Sequence, residues 1–307
     1  MKSRWLRVLI FVIGFLLCVY PLISSAYQSW QQGQLIRSFE STVDQMDETD
    51  IDSIWKETEK YNSMLFQTQG LSIGSIDSGI LSRYDELLDT NENGIMSRLE
   101  IPKIGVSLPV YHGTEDEVLN VGAGHLEGTS LPTGGDSTHS VITGHRGLPN
   151  AKLFTRLDEI EEGDLLFLET LDKKLAYQVT DIRVVEPGDL DIMRIEPDRD
   201  LVSLVTCTPY GINTHRLVVT GERVEYSERQ KAEIGEQLPG IRELVFMVLP
   251  FILLGYGVMK ALYAQRNRIR KTNMEKNISA FYQEDPDGAD LKTTGKEKEV
   301  KDTDEDD

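Results

Sequence analysis

The stretch LVSLVTCTPYGINTHRLVVTGERVEY, residues 201–226, shows how the middle of the chain is built. Two runs rich in Val, Leu and Thr, residue types that favour β-strands, flank a loop that contains Pro209 and Gly211. Cys207 closes the first run and Arg216 opens the second. The pattern therefore predicts two strands joined by a loop, with a thiol at the end of one strand and a guanidinium at the start of the other.

Short apolar runs of the same kind recur upstream, separated by turn residues. They are IMSRLEIP (95–102), GVSLPVYHG (105–113), THSVITGH (138–145), DLLFLET (164–170) and LAYQVTDIRVVEP (175–187). LDKK at 171–174 resembles a hairpin turn, and short helices fit EDEVLNVG (115–122) and NAKLFTRLDEI (150–160). Seven or so strands at this spacing predict an all-β domain, closed or sandwiched, with antiparallel strands.

The segment before these strands has a different pattern. Between Tyr27 and Tyr61, apolar residues recur at near-helical spacing, which predicts one or two amphipathic helices. Residues 62–93 are less regular, with Gly70, Gly74 and Gly79 ahead of the turn-like DTNENG at 89–94.

Two apolar stretches flank the whole region. LRVLIFVIGFLLCVYPLI (6–23) and LVFMVLPFILLGYGVMKAL (244–262) are each close to the ~20 residues that cross a bilayer. Basic residues precede the first stretch and follow the second, which predicts that both outer flanks are cytoplasmic and that the domain between them is exported. ISSA, ending at Ala26, leaves open whether the first stretch is a cleaved signal or a retained anchor. For the second, a buried core helix is the alternative.

The net charge of the chain limits the classes of partner that it can bind. The chain carries a net charge of −19, all of it in the central region, because the basic amino end offsets the acidic carboxyl-terminal tail. An acidic exported domain argues against nucleic acid as a partner. The tail EKEVKDTDEDD (297–307) has the composition of a disordered segment.

These patterns predict six regions. They are a signal or transmembrane segment (1–26), a helical region (27–94), a β-domain (95–228), a linker (229–243), a transmembrane helix (244–264) and a charged cytoplasmic tail (265–307).

Cysteine usage points to Cys207. The only other cysteine, Cys18, lies in the first apolar stretch, so Cys207 has no partner within the exported domain. A buried structural thiol is one interpretation, and a reactive thiol or an intermolecular bridge is the other. Scattered histidines and a single cysteine lack the paired spacing of a zinc site, so no metal is expected.

A reactive thiol needs a proton carrier nearby, because a thiol attacks only as the thiolate. Arg216 stays protonated and can stabilise an oxyanion but cannot shuttle protons, so one of the histidines would have to do so. His145, at the end of a strand, is the best placed by position, and His125 in GAGHLEG is a rival that the local pattern does not exclude. The five histidines are His112, His125, His139, His145 and His215.

LVTCTPYGINTHRL (204–217) resembles the Cys-to-Arg signature of the sortases, membrane-anchored cysteine transpeptidases of Gram-positive bacteria. Residues 101–158 are similar to the corresponding segment of class C, the pilin-polymerising sortases, and the resemblance runs from about Ile95 to Val224. It implies a closed eight-stranded β-barrel with short helices, with His145, Cys207 and Arg216 as catalytic residues in preference to His125. Thr206 matches the family motif before the cysteine and is expected to bind substrate, whereas Ser203 stands where threonine is usual.

The resemblance also implies an activity. Cys207 would cleave an LPxTG-like sorting signal between Thr and Gly, and a lysine of the next pilin would resolve the thioacyl enzyme without any cofactor. It places the enzyme in the cell membrane of a Gram-positive bacterium, with the catalytic domain outside.

One departure concerns the lid that class C sortases carry ahead of the barrel. The expected Asp-Pro-aromatic triplet is missing from residues 62–100, and Asp77 is followed by Ser78 and Gly79. We expect residues 70–82 to form either a weak lid, with Asp77 facing Arg216, or a flexible linker.

Two other functions stay open on sequence alone. One is a sortase that anchors surface proteins to cell-wall peptide, or a hydrolytic cysteine protease. The other is a surface-anchored binding module in which Cys207 is merely buried.

Overall fold

A computed structural model describes residues 2–69, 82–90, 93–148, 152–189, 191, 194–236 and 241–284. The chain divides into two compact units, residues 1–247 and 248–307. The first unit contains a closed barrel in which the strand order is β1-β2-β3-β4-β7-β8-β6-β5. The strands are β1 (Ile95–Ile101), β2 (Val106–His112), β3 (Ala123–His125), β4 (Thr138–Thr143), β5 (Leu165–Thr170), β6 (Lys173–Val185), β7 (Asp200–Thr208) and β8 (His215–Val224).

The prediction of an all-β, eight-stranded closed barrel is confirmed, but the expectation of purely antiparallel strands is wrong. β2 pairs with β3 in parallel, and β4 pairs with β7 in parallel. The strand patterning missed β3 because it is only three residues long, too short for an alternation of apolar and polar residues to be recognised. Its pairing with β2 and β4 identifies it, and this pairing is a tertiary property.

The barrel interior is a continuous apolar core. Leu99, Val110, Ile142, Leu204 and Val219 come from five different strands and are all fully buried. Each such side chain contributes roughly 1.5–3 kcal/mol of hydrophobic stabilisation when it leaves water. The barrel interior is therefore a packed scaffold that supports the side chains at the strand ends and in the loops.

The first unit also contains helices. They are α1 (Lys2–Val43), α2 (Glu48–Gln69), the four-residue α3 (Asp116–Leu119) and α4 (Glu228–Glu233), and α5 (Ile241–Glu284) continues into the second unit. Short 3-10 turns occur at Tyr84–Glu86, Pro102–Ile104 and Leu157–Glu159. α1 runs without interruption through the boundary drawn at residues 26 and 27.

A second cluster of buried apolar residues joins these helices to one end of the barrel. It contains Phe39 and Val43 of α1, Leu65 of α2, Ile95 at the start of β1, and Leu171 in the β5–β6 turn. Trp55 of α2 donates a hydrogen bond from Nε1 to Asp172 at 2.8 Å. The amphipathic helices predicted for residues 27–61 thus pack on the barrel.

Two regions predicted as a linker and a tail contain helices. The linker drawn at 229–243 contains most of α4, whose first turn is capped by the Ser227 side chain, which accepts a hydrogen bond from the Gln230 amide. α5 continues through the first part of the tail as far as Glu284. Residues 285–307, including the segment expected to be disordered, lie outside the described residues.

Two helical spans are long and apolar enough to cross a membrane, Leu9–Val43 and Val248–Ser279. They overlap the two stretches singled out in the sequence. Length and composition alone support a membrane location for them.

Candidate active site

Cys207 and Arg216 face each other across the β7–β8 pair. Cys207 is the penultimate residue of β7, Arg216 is the second residue of β8, and they are direct register partners. Directly opposed residues have Cβ atoms about 4.5–5.5 Å apart. Both side chains are half-buried, and the Cys207 thiol is free. The nine-residue separation in the sequence therefore becomes a direct neighbour relation in the sheet.

His145 approaches the same place from β4. β4 runs parallel to β7, with Thr143 opposite Val205, and the Gly144 amide donates to the Val205 carbonyl at 3.1 Å. His145 and Cys207 each lie two residues beyond this last strand pair. We call the end of the barrel where β4 and β7 finish and β8 begins the Cys207 end. The fold thus brings all three predicted catalytic residues to this end.

The backbone around His145 is held from two sides. Its carbonyl accepts a hydrogen bond from the Phe154 amide at 3.1 Å. The Phe154 ring covers Gly144 so closely that a Cβ at this position would come within 2.7 Å of the ring. Glycine is required there by this close approach, which fixes the path of the chain into His145.

Thr206 connects the two strands that carry His145 and Cys207. Its side chain is only 2% exposed, and its hydroxyl donates to the Gly144 carbonyl at 2.7 Å. The hydroxyl is thus engaged inside the protein, where it ties β7 to the residue before His145. Substrate binding by Thr206 stays a prediction.

Arg146, which the sequence reasoning did not single out, is a buried cation beside the site. Its side chain is 3% exposed and forms an ion pair with Asp158. Its Nη1 donates to the Thr208 hydroxyl at 3.3 Å, and its guanidinium lies 5.8 Å from the centre of the Tyr210 ring. Arg146 therefore links the His145 loop to the residues that follow Cys207. Its position next to His145 was the only signal in the sequence.

His125, the rival histidine, is completely buried on β3. Its Nε2 donates to the Ser130 carbonyl at 2.8 Å, and the Tyr84 hydroxyl lies 2.9 Å from its Nδ1. Burial lowers the pKa of His125 to about 4. A sealed neutral imidazole with both nitrogens engaged has a structural role and no access to a substrate.

The other histidines also have local partners. His139 is buried, with Nε2 2.8 Å from the Ser203 hydroxyl and Nδ1 2.7 Å from the Arg194 carbonyl. Burial lowers the pKa of His139, and the enclosed Ser203 hydroxyl also contacts Thr220 at 2.8 Å. This serine–histidine pair is therefore a structural network, reached neither by solvent nor by substrate.

The two remaining histidines lie at strand ends, His112 at the end of β2 and His215 at the start of β8. The Nε2 of His112 lies 2.7 Å from the Leu87 carbonyl, and the Nε2 of His215 lies 3.5 Å from a carboxylate oxygen of Glu186.

Within the described residues, no group of three or more His, Cys, Asp or Glu side chains is arranged to hold a metal ion. Asp77 and all of the candidate lid at residues 70–82 except Ser82 lie outside the described residues. The lid expectation stays a prediction from the sequence.

A barrel with Cys and Arg paired on adjacent strands agrees with the family relationships of the chain. Residues 99–224 match the family model described as the sortase domain. The chain is 42% identical to sortase C1 from Streptococcus agalactiae, with a TM-score of 0.59, over 63% of this chain and 100% of the other. The chain belongs to the class C sortases. This sortase is therefore a cysteine transpeptidase, as its sequence motifs indicated.

Two further relatives show the range of the similarity. Sortase C from Clostridium perfringens, solved with the C-terminal cell wall sorting motif, is 40% identical with a TM-score of 0.55, over 63% of this sortase and 99% of that chain. Sortase D of Bacillus subtilis is 31% identical over 129 residues, which is 41% of this sortase and 62% of that relative. The identity is thus higher to these two class C sortases than to sortase D.

Proposed function

We propose that Cys207 is the nucleophile, His145 the general acid and base, and Arg216 the group that stabilises the oxyanion. The observation that carries this assignment is the direct pairing of Cys207 with Arg216 on β7 and β8, with His145 leaving the neighbouring parallel strand at the same level. The burial of His125 and His139 supports the choice of His145. His145 and Cys207 are half-buried, as groups that react with an external peptide must be.

In the first half of the reaction the Cys207 thiolate attacks the carbonyl carbon of the scissile Thr–Gly bond. The carbonyl oxygen becomes an oxyanion, which accepts hydrogen bonds from the Arg216 guanidinium. The carbon–nitrogen bond then breaks, and protonated His145 gives its proton to the departing glycine amine. A thioester between Cys207 and the threonine carbonyl remains, with a neutral imidazole beside it.

In the second half a lysine amine of the next pilin attacks the thioester. His145 takes the proton that this amine loses, and the Cys207 thiolate leaves. An isopeptide bond joins the two subunits, and both catalytic groups return to their starting states.

The substrate assignment follows from class C membership. We assign an LPxTG-like sorting signal on a pilin subunit as donor, since a class C relative was solved with its cell wall sorting motif. We place the enzyme in the membrane of a Gram-positive bacterium, anchored by the two apolar spans, with the barrel on the outer face and the tail in the cytoplasm.

Mass spectrometry of a thioester adduct tests the nucleophile. Incubation with an LPxTG-containing peptide should add the mass of the acyl fragment, and Cys207→Ala should abolish the adduct completely. A Cys207→Ala protein that keeps full function would instead support a binding module with a merely buried thiol.

The acceptor is tested by product analysis. A pilin with an accessible lysine, a cell-wall peptide and water are offered as competing acceptors to the same acyl enzyme. We expect the isopeptide product with pilin lysine to predominate. Transfer mainly to wall peptide would identify an anchoring sortase, and hydrolysis alone would identify a protease.

A further inference from the structure

α1 is attached to the barrel near the Cys207 end. Gln28 donates from Nε2 to the Asn120 carbonyl at 2.7 Å, and Gln32 donates from Nε2 to the Val121 carbonyl at 2.8 Å. Both carbonyls lie just before β3, in which Gly124 pairs with Thr143, the last residue of β4. β4 leads directly into His145. The two glutamines thus hold α1 beside the strand ends that carry the site.

The carboxyl-terminal part of α1 lies at the opposite end of the barrel. Phe39 and Val43 belong to the second cluster with Ile95 at the start of β1 and Leu171 in the β5–β6 turn. From Val43 back to Gln28 the helix rises roughly 22 Å at about 1.5 Å per residue. Followed towards its amino end, α1 therefore runs from the second cluster to the Cys207 end.

The part of α1 beyond Gln28 has the character of a membrane segment that emerges at an interface. The candidate span starts at Leu9 and shares the same uninterrupted helix. Tyr27 and Trp30 are exposed and stack with their ring centres 6.0 Å apart. Such amphipathic aromatics favour the membrane–water boundary. The chain contains 51 acidic residues, and the first of them along the sequence is Glu40. The lipid surface should therefore lie near Tyr27 and Trp30, within about one helical turn of Gln28.

The barrel exposes its large apolar side chains at this same end. Among the described residues of 95–224, these are Val121, Val184, Tyr210 and Ile212. Val121 precedes β3, Val184 pairs with Leu217 at the start of β8, and the other two lie in the β7–β8 loop. Scattered exposed apolar residues need no explanation, but a set confined to one end indicates a contact surface. We call these four residues the apolar rim.

We propose that the Cys207 end of the barrel faces the bilayer and that the apolar rim lies in the lipid–water interface. Two observations agree on this orientation: the end at which the membrane helix joins the barrel, and the end at which the barrel exposes apolar side chains, three of which are remote in the sequence from the carbonyls that Gln28 and Gln32 contact. Placement of the active site at that end rests on the proposed function. Because Glu115, Asp116 and Glu117 are exposed just before Asn120, the contact is apolar rather than a charge attraction to anionic lipid.

Fluorescence quenching by labelled lipid tests the orientation. The full chain, with Cys18→Ser and Cys207→Ser, receives a single cysteine in place of Val121, Val184 or Ile212, and a polarity-sensitive fluorophore is attached. Asp136 is the matched control, since it is exposed and precedes β4 at the opposite end of the barrel. Each protein is reconstituted into phosphatidylcholine nanodiscs with and without a nitroxide lipid that carries its spin label near the headgroup.

Rim residues that insert to the depth of the headgroup boundary should be quenched roughly threefold more strongly than position 136. Equal quenching at all four positions, or stronger quenching at 136, would overturn the proposal. If the rim binds only the substrate peptide, the fluorophore at position 212 should respond to an LPxTG-containing peptide but not to the nitroxide lipid. This outcome would also overturn the proposal.

The test is independent of catalysis, because every labelled protein lacks the Cys207 thiol. Failure of the thioester experiment would remove the proposed function and leave the quenching pattern unchanged.

A second variant checks the attachment of α1. Gln28→Ala together with Gln32→Ala should reduce quenching at position 212, since the barrel would lose two of its bonds to the membrane helix. Unchanged quenching there would contradict the role given to these glutamines.

Discussion

The pairing of Cys207 with Arg216 limits which side chains can replace the arginine. A lysine keeps the charge but loses the planar fork of donors that an oxyanion and a peptide carbonyl can share. We expect Arg216→Lys to lower kcat/KM for an LPxTG-containing peptide by roughly 100-fold, as for removal of an oxyanion donor. Arg223→Lys on the same strand is the control, because Arg223 contacts Asp200 and Tyr177 far from Cys207. Near-normal turnover of Arg216→Lys would contradict the oxyanion role.

The two histidines that compete in the sequence should differ in activity. We expect His145→Ala to be almost inactive, and His125→Ala to keep most of its turnover per folded molecule, because the His125 ring is sealed behind Tyr84 and Ser130. Peptide cleavage is measured after circular dichroism has shown that both proteins are folded. Comparable losses in the two variants would refute the assignment of His145.

Arg146 should affect catalysis only by positioning the residues around His145 and Cys207. Arg146→Lys keeps a charge near Asp158 but cannot also reach Thr208, so we expect kcat to fall roughly tenfold with little change in KM. Arg156 is a matched control because it is equally buried, pairs with Glu159 and donates to the Ile104 carbonyl. Arg156→Lys should lower the melting temperature to a similar extent without the loss of kcat. Equal losses of kcat in the two variants would show that Arg146 contributes only to stability.

The helical region matters for the candidate lid, because the described residues on both sides of the lid are anchored. Leu65 of α2 and Tyr84, which precede and follow the candidate lid in the chain, are both buried in the second cluster. We expect Asp77→Ala to raise the rate at which a thiol reagent alkylates Cys207 only modestly, since an exposed ion pair contributes about 0–1 kcal/mol. Ser78→Ala serves as the control. No change in rate would favour a linker, and a rise of roughly 100-fold would mean a tight lid.

The whole domain should lose stability in mild acid. Burial lowers the pKa of His125 to about 4 and also lowers that of His139, so below the ordinary histidine pKa the unfolded chain binds protons that the folded chain does not. The free energy of unfolding is therefore fully present above about pH 6.5 and falls as the pH drops towards 4, by roughly a few kcal/mol. Urea unfolding of residues 27–236 at several pH values measures this.

Substituted proteins locate the source of that pH dependence. His125→Gln should flatten it, whereas His215→Gln, at a half-exposed histidine, should leave it unchanged. The same pH dependence in both variants and the parent would show that other groups are responsible.

Local patterns in the chain were sufficient for most of the barrel. Seven of the eight strands were predicted, because apolar residues bounded by Gly and Pro specify a strand without reference to partners. The placement of Cys207 at the end of one strand and of Arg216 at the start of the next also followed from sequence, whereas their direct pairing is a property of the folded sheet. The two apolar helical spans were evident from composition alone.

Contacts between distant segments decided the rest. The parallel pairing of β4 with β7 places His145 near Cys207 although 62 positions separate them in the sequence, and no local rule predicts such a pairing. Closure of the barrel also buries His125 and encloses Arg146. The histidines therefore differ in role because their environments differ, although their residue type is the same. Strand propensity and hydropathy are properties of neighbours along the chain. Burial, register and the end of the barrel at which α1 joins depend on how separate segments pack, and only the tertiary structure determines them.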